Sequence, residues 1–174
     1  KKEAVEIVNE LRGLGACFKI GKQLFTSLGP DFVKEIVGMG EDVFLDLKYH
    51  DIPNTVAKAG LAAASLGVKV FNVHASGGRK MMEAVRAELD KLENPPMVLA
   101  VTVLTSMGEA DLNETGVNVT PGQQVARLAK LALDSGMDGV VASPLEIEII
   151  RSVCGQDFKI LTPGIRPAYS STDD

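Results

Sequence analysis

Residues 46–51 read DLKYHD and set two carboxylates, Asp46 and Asp51, on either side of one ammonium, Lys48. A second ammonium, Lys19, sits in an earlier apolar run, ACFKI. An array of alternating charge suits a reaction that leaves negative charge on carbon and then needs a proton, and loss of carbon dioxide is such a reaction. A lysine ammonium can stabilise the carbanion electrostatically and then deliver the proton as a general acid. Opposite unit charges about 4 Å apart are worth up to about 4 kcal/mol at an effective dielectric near 20, so a preformed array matters. Use of the lysine as a Schiff-base nucleophile favours an amine buried away from carboxylates, which this spacing does not offer. A purely structural ion pair is the simpler alternative. Such pairs add little net stability and often lose to hydrophobic replacements, so a functional role is the better account of these residues.

The elements that must position these groups follow from periodicity. KKEAVEIVNELRGLG carries Ala4, Val5, Val8 and Leu11 at helical spacing, and the short β-like run ACFKIG follows it. GPDFVKEIVGMG reads as a helix with Pro30 in its first turn, and VFLDLK as the next strand. A helix from about Pro53 then leads into strand KVFNV, a helix around MMEAVRAELDKL, strand MVLAVTV, helix PGQQVARLAKLAL, strand DGVVAS, helix PLEIEIIRSV and strand FKILT. Helix starts are signalled at Thr120-Pro121 and at Ser143-Pro144, where Glu146 occupies the capping-box position.

Alternating strands and helices predict parallel βαβ units, and the repeat length is that of a (β/α)8 TIM barrel of about 250 residues. Residues 1–174 read as a single domain of such a barrel, with its first and last strands absent from this sequence. A barrel built from these residues alone is expected not to close. The rival architecture, an open doubly wound sheet, wants a phosphate-binding glycine fingerprint in its first βα turn, and neither GxGxxG nor GxxxxGK[ST] occurs.

Strand alternation then assigns faces. Val43, Leu45 and Leu47 point to the helix layer, which leaves Phe44, Asp46 and Lys48 facing the barrel interior. The same parity turns Lys19, Asn72 and His74 inward and Ala16, Phe18, Ile20, Phe71 and Val73 outward. These polar groups lie toward strand C-termini, the end at which barrel enzymes build active sites. Asp51 is three residues past Lys48 and reaches at most about 10 Å further, which puts it on the rim of the same mouth or in a neighbouring subunit.

A formal net charge of −5 argues against broad nucleic-acid or anionic-membrane binding. The apolar runs are interrupted before bilayer-spanning length, and no basic-then-apolar leader pattern is present, so a cytoplasmic protein is expected. Cys17 and Cys154 stand far apart without CxxC or Cys/His clustering, which supports neither a zinc site nor a disulfide; both are expected to pack as small hydrophobes. His50 reads as a rim residue and His74 as a hydrogen-bonded wall residue. Met81 and Met82 read as core-facing helix residues, and the ASGG turn as a tight connection or an anion-binding turn.

DLKYHDIPNT closely resembles the signature of the orotidine 5′-phosphate decarboxylases, and FKIGKQLF, NVHASGG, VTVLTSM and TPGIRP follow that family's pattern in its order along the chain. The bacterial form is the nearest likeness. The resemblance implies a (β/α)8 homodimer that converts orotidine monophosphate to uridine monophosphate and CO2 in pyrimidine biosynthesis without metal or organic cofactor. It implies that Lys48 donates the proton to C6, that Asp46 lies beside the departing carboxylate, and that Lys19 orders Asp46 and contacts the ribose. Asp51, Ile52 and Thr55 would reach into the partner subunit's site, and Thr105 would read the pyrimidine edge. Pro163 and Arg166 would belong to the loop that closes over substrate and binds phosphate. An aspartate of the family's first strand, a Gly-Arg pair of its last and a glutamine of the phosphate loop have no counterpart in this sequence. Two alternatives are a related Mg²⁺-dependent sugar-phosphate decarboxylase, which shares DxKxxD, and a catalytically silent phosphate-ligand-binding barrel.

Overall fold

Among the described residues, six short apolar runs form six parallel strands: β1 Cys17–Gly21, β2 Asp42–Tyr49, β3 Val70–His74, β4 Met97–Val101, β5 Gly139–Val141 and β6 Lys159–Leu161. The computed structural model describes residues 1–165. Around the strands lie helices α1 Lys2–Leu11, α2 Lys22–Gly38, α3 Pro53–Ser65, α4 Arg79–Leu89, α5 Glu109–Glu114, α6 Pro121–Asp134 and α7 Ile147–Cys154. Each strand pairs with the next in the sequence, in the order β1-β2-β3-β4-β5-β6. A doubly wound sheet would reverse that order at a switch point and carry helices on both faces. Here one face packs on helices and the other on itself, as in a (β/α) barrel wall.

The core shows this directly. Val43, Leu45, Phe71, Val73, Val98, Ala100 and Val140 lie in one large cluster with helix residues such as Ile36, Val56, Met82, Val85 and Ala129. Phe44, Val70, Leu99, Val101 and Val141 form a second, smaller cluster on the opposite face, with Met97 and Leu161 against it. The expected parity of β2 therefore holds, with odd positions toward the helices and Phe44 toward the interior. Full burial of a Val, Leu or Phe side chain contributes about 1.5–3 kcal/mol, so the alternation fixes which face of each strand looks inward.

The expected starts of α6 and of the segment after Ser143 are formed as capping boxes. Thr120 Oγ1 accepts from Gln123 N at 3.3 Å, and Ser143 N donates to Glu146 at 2.8 Å. Residues Pro144–Glu146 make a 3₁₀ turn that runs into α7, shortening the α-helix expected there. The helix expected from Gly29 begins earlier, at Lys22; Gly29, at φ 70° and ψ −169°, breaks it into two segments, and Pro30 opens the second, where its missing N–H does no harm. The short α5 was not expected, because six residues with Leu112 as the one buried side chain give no periodic signal.

The ASGG stretch is a 3₁₀ turn, Ala75–Gly77, followed by Gly78 at φ 84°. A Cβ on Gly77 would stand 2.1 Å from the Met81 sulfur, so a larger residue there would force the buried Met81 side chain to move. Met81 and Met82 are fully buried, as expected. Cys154 packs against the core, but Cys17 is exposed because it begins β1 at the edge of the sheet. Among the described residues no helix is long and apolar enough to cross a membrane.

Candidate active site

Three neighbouring strands deliver the charged groups to one place. Lys19 stands opposite Phe44 in the β1–β2 register, and its long side chain reaches past that ring to Asp46. Lys19 Nζ donates to Asp46 Oδ2 at 3.1 Å, while Lys48 Nζ donates to Asp46 Oδ1 at 2.6 Å. Asn72, the inward residue of β3, donates from Nδ2 to the same Oδ1 at 2.7 Å. Asp46 is 8% exposed and sits at the centre of an ammonium–carboxylate–ammonium array. Burial alone would push its carboxyl pKa up. The hydrogen bonds from Lys48, Asn72 and Lys19, together with the charge of Lys48, outweigh that and hold it below the ordinary carboxylate value.

Lys48 has φ 51°, and among the described residues no other non-glycine has a positive φ. A left-handed lysine costs about 1–3 kcal/mol and persists only where its surroundings impose it. The imposition is visible in the β2–β3 ladder, where Leu45 pairs with Phe71 but Tyr49 with Val73, so residues 46–48 bulge out of register. Bulges concentrate beside functional sites because they re-aim side chains.

The array lines a cavity of about 200 Å³ whose other walls include Phe44, Val101, Val103, Leu104, Thr105, Val141, Leu161 and Pro163. Charge gathers on one side and apolar surface on the other, which suits a flat, partly polar ligand. Of the residues singled out in the sequence, Lys19, Asp46, Lys48, Thr105 and Pro163 meet around this cavity. Asp51, Ile52 and Thr55 do not: all three are exposed and none lines it. Asp51 accepts instead from its own neighbour's backbone, Ile52 N, at 2.6 Å. Arg166 lies outside the described residues.

Asn72 also lines the cavity; the sequence marks it only as inward-facing, and its strand parity beside Asp46 is the signal that points to the site. The apolar wall from β4, β5 and β6 had no chemical signature to find. His74, expected to face the same interior, lines a neighbouring and mostly apolar cavity with His50, Thr102 and Met107, the two imidazole centroids being 5.5 Å apart. Its backbone is extended and it pairs with Val101 in the β3–β4 ladder, so the expected parity holds although a different cavity takes the ring. Burial, reinforced by His50, Lys22 and Lys48 against the opposing effect of Asp46, lowers its pKa.

The profile of the "Orotidine 5'-phosphate decarboxylase / HUMPS family" matches residues 1–174. The chain belongs to that family. It is 52% identical over 174 residues to a protein of Idiomarina loihiensis named orotidine 5'-phosphate decarboxylase, covering all of this chain and 75% of the relative. A protein of the same name from Syntrophotalea carbinolica is 55% identical over 176 residues, covering 98% of this chain and 72% of its own length. Among solved structures, the orotidine 5'-phosphate decarboxylase of Lactobacillus acidophilus superposes with a TM-score of 0.88 at 40% identity, over 97% of this chain and 78% of that one. The decarboxylase family thus supplies the barrel to which the six sequential strands correspond, and the charged array lies at the C-terminal ends of strands within it.

Proposed function

We propose that this protein decarboxylates orotidine 5′-monophosphate to uridine 5′-monophosphate and CO2, a step of pyrimidine nucleotide synthesis. The observation that carries the reading is the Lys19–Asp46–Lys48 array on the wall of a cavity otherwise lined by apolar groups. The names of relatives more than half identical over nearly the whole chain support the substrate.

In this reading the pyrimidine lies against the apolar wall with its carboxylate toward Asp46. The C6–carboxylate bond breaks, CO2 departs, and the electron pair stays on C6. The Lys48 ammonium stabilises that charge while it develops and then transfers a proton from Nζ to C6, regaining one later from solvent. An anionic Asp46 serves both ends of the event: it orients Lys48 and presents like charge to the substrate carboxylate. Thr105 is assigned to the pyrimidine edge, Lys19 to the ribose, and Pro163 with Arg166 to the phosphate loop. Asp51, Ile52 and Thr55, which face away from their own cavity, are assigned to the site of a second copy, so the working unit is a homodimer. Cytoplasmic residence belongs to the same proposal and rests on the metabolic activity named in the relatives.

The test is loss of orotidine monophosphate absorbance with the full-length protein and excess chelator. Turnover unaffected by the chelator is expected. Chelator-sensitive activity on a keto-sugar phosphate, or tight uridine monophosphate binding without turnover, would replace this reading with one of its alternatives.

A further inference from the structure

We propose that Asn72 is a positioning residue for the reaction: its one side-chain amide fixes both the backbone of Lys48 and the carboxylate of Asp46. The inference rests on the decarboxylase reading and extends it to a residue outside the charged array.

Asn72 is 1% exposed, and both ends of its amide are used by the array. Its Oδ1 accepts from Lys48 N at 2.7 Å, and its Nδ2 donates to Asp46 Oδ1 at 2.7 Å. The first bond repairs the ladder. Between the pairs Leu45–Phe71 and Tyr49–Val73 the bulge carries Lys48 out of register, and the Asn72 side chain supplies the acceptor that the Lys48 N–H then needs. A strand N–H left without an acceptor is costly, so this contact favours the left-handed conformation of Lys48 at φ 51°. That conformation sets the direction in which the Lys48 side chain leaves the strand.

The second bond sets the carboxylate. Asp46 Oδ1 receives Asn72 and Lys48, which leaves Oδ2 for Lys19. The Asn72 amide can face only one way, because its oxygen must meet the Lys48 N–H and its nitrogen the carboxylate. The position therefore demands a neutral group that accepts at one end and donates at the other. A leucine of similar size offers neither, and an ionised carboxylate would set like charge against Asp46. A protonated carboxyl group, in contrast, reproduces both bonds.

This chemistry makes the test specific. Asn72→Leu and Asn72→Asp are assayed on orotidine monophosphate across pH 5–9 beside the wild-type full-length protein, with folding followed by circular-dichroism melts. For Asn72→Leu, kcat is expected to fall about 100-fold, the scale of a small misplacement of reacting groups, with KM within about threefold. For Asn72→Asp, kcat should be similarly depressed at high pH and recover as pH falls, because the introduced carboxyl regains its proton in sharing one with Asp46. The other titratable groups around the position are Lys48, Lys19 and His74; all are present in wild type, whose profile should lack that recovery. A kcat within about threefold of wild type in both variants, or an Asn72→Asp profile parallel to wild type, overturns the proposal. Should Asn72→Leu not fold, the pH profile of the isosteric Asn72→Asp decides alone. Absence of turnover in wild type overturns the underlying reading and this inference with it, whereas loss confined to the variants bears on Asn72.

Discussion

Lys48 and Asp46 stand two residues apart on one strand, and their side chains meet at 2.6 Å on its inner face. Leu47 between them joins the opposite, helix-facing cluster, so alternation carries both to the inner face, and the bulge at Lys48 sets how its side chain leaves the strand. Truncating Lys48 removes the proposed proton source without removing core packing. Lys48→Ala is expected to lower kcat by at least about 1,000-fold, combining loss of the general acid with loss of the charge that stabilises C6. Its far-ultraviolet circular dichroism should match wild type. Turnover close to wild type in the absorbance assay would contradict the role assigned to Lys48.

The backbone at the same position makes a separate prediction about stability. At φ 51° a side chain beyond glycine is strained. Two variants that both lack the ammonium, Lys48→Gly and Lys48→Ala, therefore isolate the backbone effect. The glycine variant should be more stable than the alanine variant by up to about 1 kcal/mol, the relief of strain being partly offset by the greater freedom of glycine in the unfolded chain. Denaturant midpoints at equal m-value measure the difference, and a clearly more stable alanine variant would show that the bulge relaxes when Lys48 is shortened.

Asp46 links the site to pH. Its folded carboxyl value is depressed by its hydrogen bonds and the Lys48 charge in spite of burial. The stability it contributes is fully present above the unfolded value of about 3.9 and is lost as pH falls through the lower folded value. Wild type should therefore lose stability more steeply than Asp46→Asn as pH falls below about 4. Above that pH Asp46→Asn should be the less stable of the two, because Lys19 and Lys48 then face each other without an anion between them. Urea unfolding at a series of pH values measures both slopes, and parallel curves would show that the array adds nothing to folding.

Much of this arrangement was legible in the sequence because it follows from local rules. Period-two alternation placed Asp46, Lys48, Lys19 and Asn72 inward, and apolar runs alternating with amphipathic ones yielded all six strands in parallel order. Three features were not legible. The left-handed Lys48 arises from a register slip between two strands, which no single segment encodes. The apolar wall that Val141 and Leu161 add to the VTVLTSM loop comes together only when β5 and β6 line up beside β4. The placing of His74 beside His50 across a neighbouring cavity, with ring centroids 5.5 Å apart, joins two segments that strand parity treats separately.

Asp51 tests the proposed dimer. It is exposed, absent from its own cavity and bonded to Ile52 N, so its loss should matter only if it serves a second copy. In that arrangement Lys48→Ala and Asp51→Ala homodimers are each deficient at both sites. Mixing the two unfolded chains and refolding them together gives heterodimers in half of the population, and each heterodimer contains one site with an intact Lys48 and an intact Asp51. Specific activity should then recover to about a quarter of wild type, the statistical value for a two-fold symmetric pair sharing its sites. Recovery no greater than the sum of the two parents would mean that each chain works with its own Asp51 or that the residue takes no part.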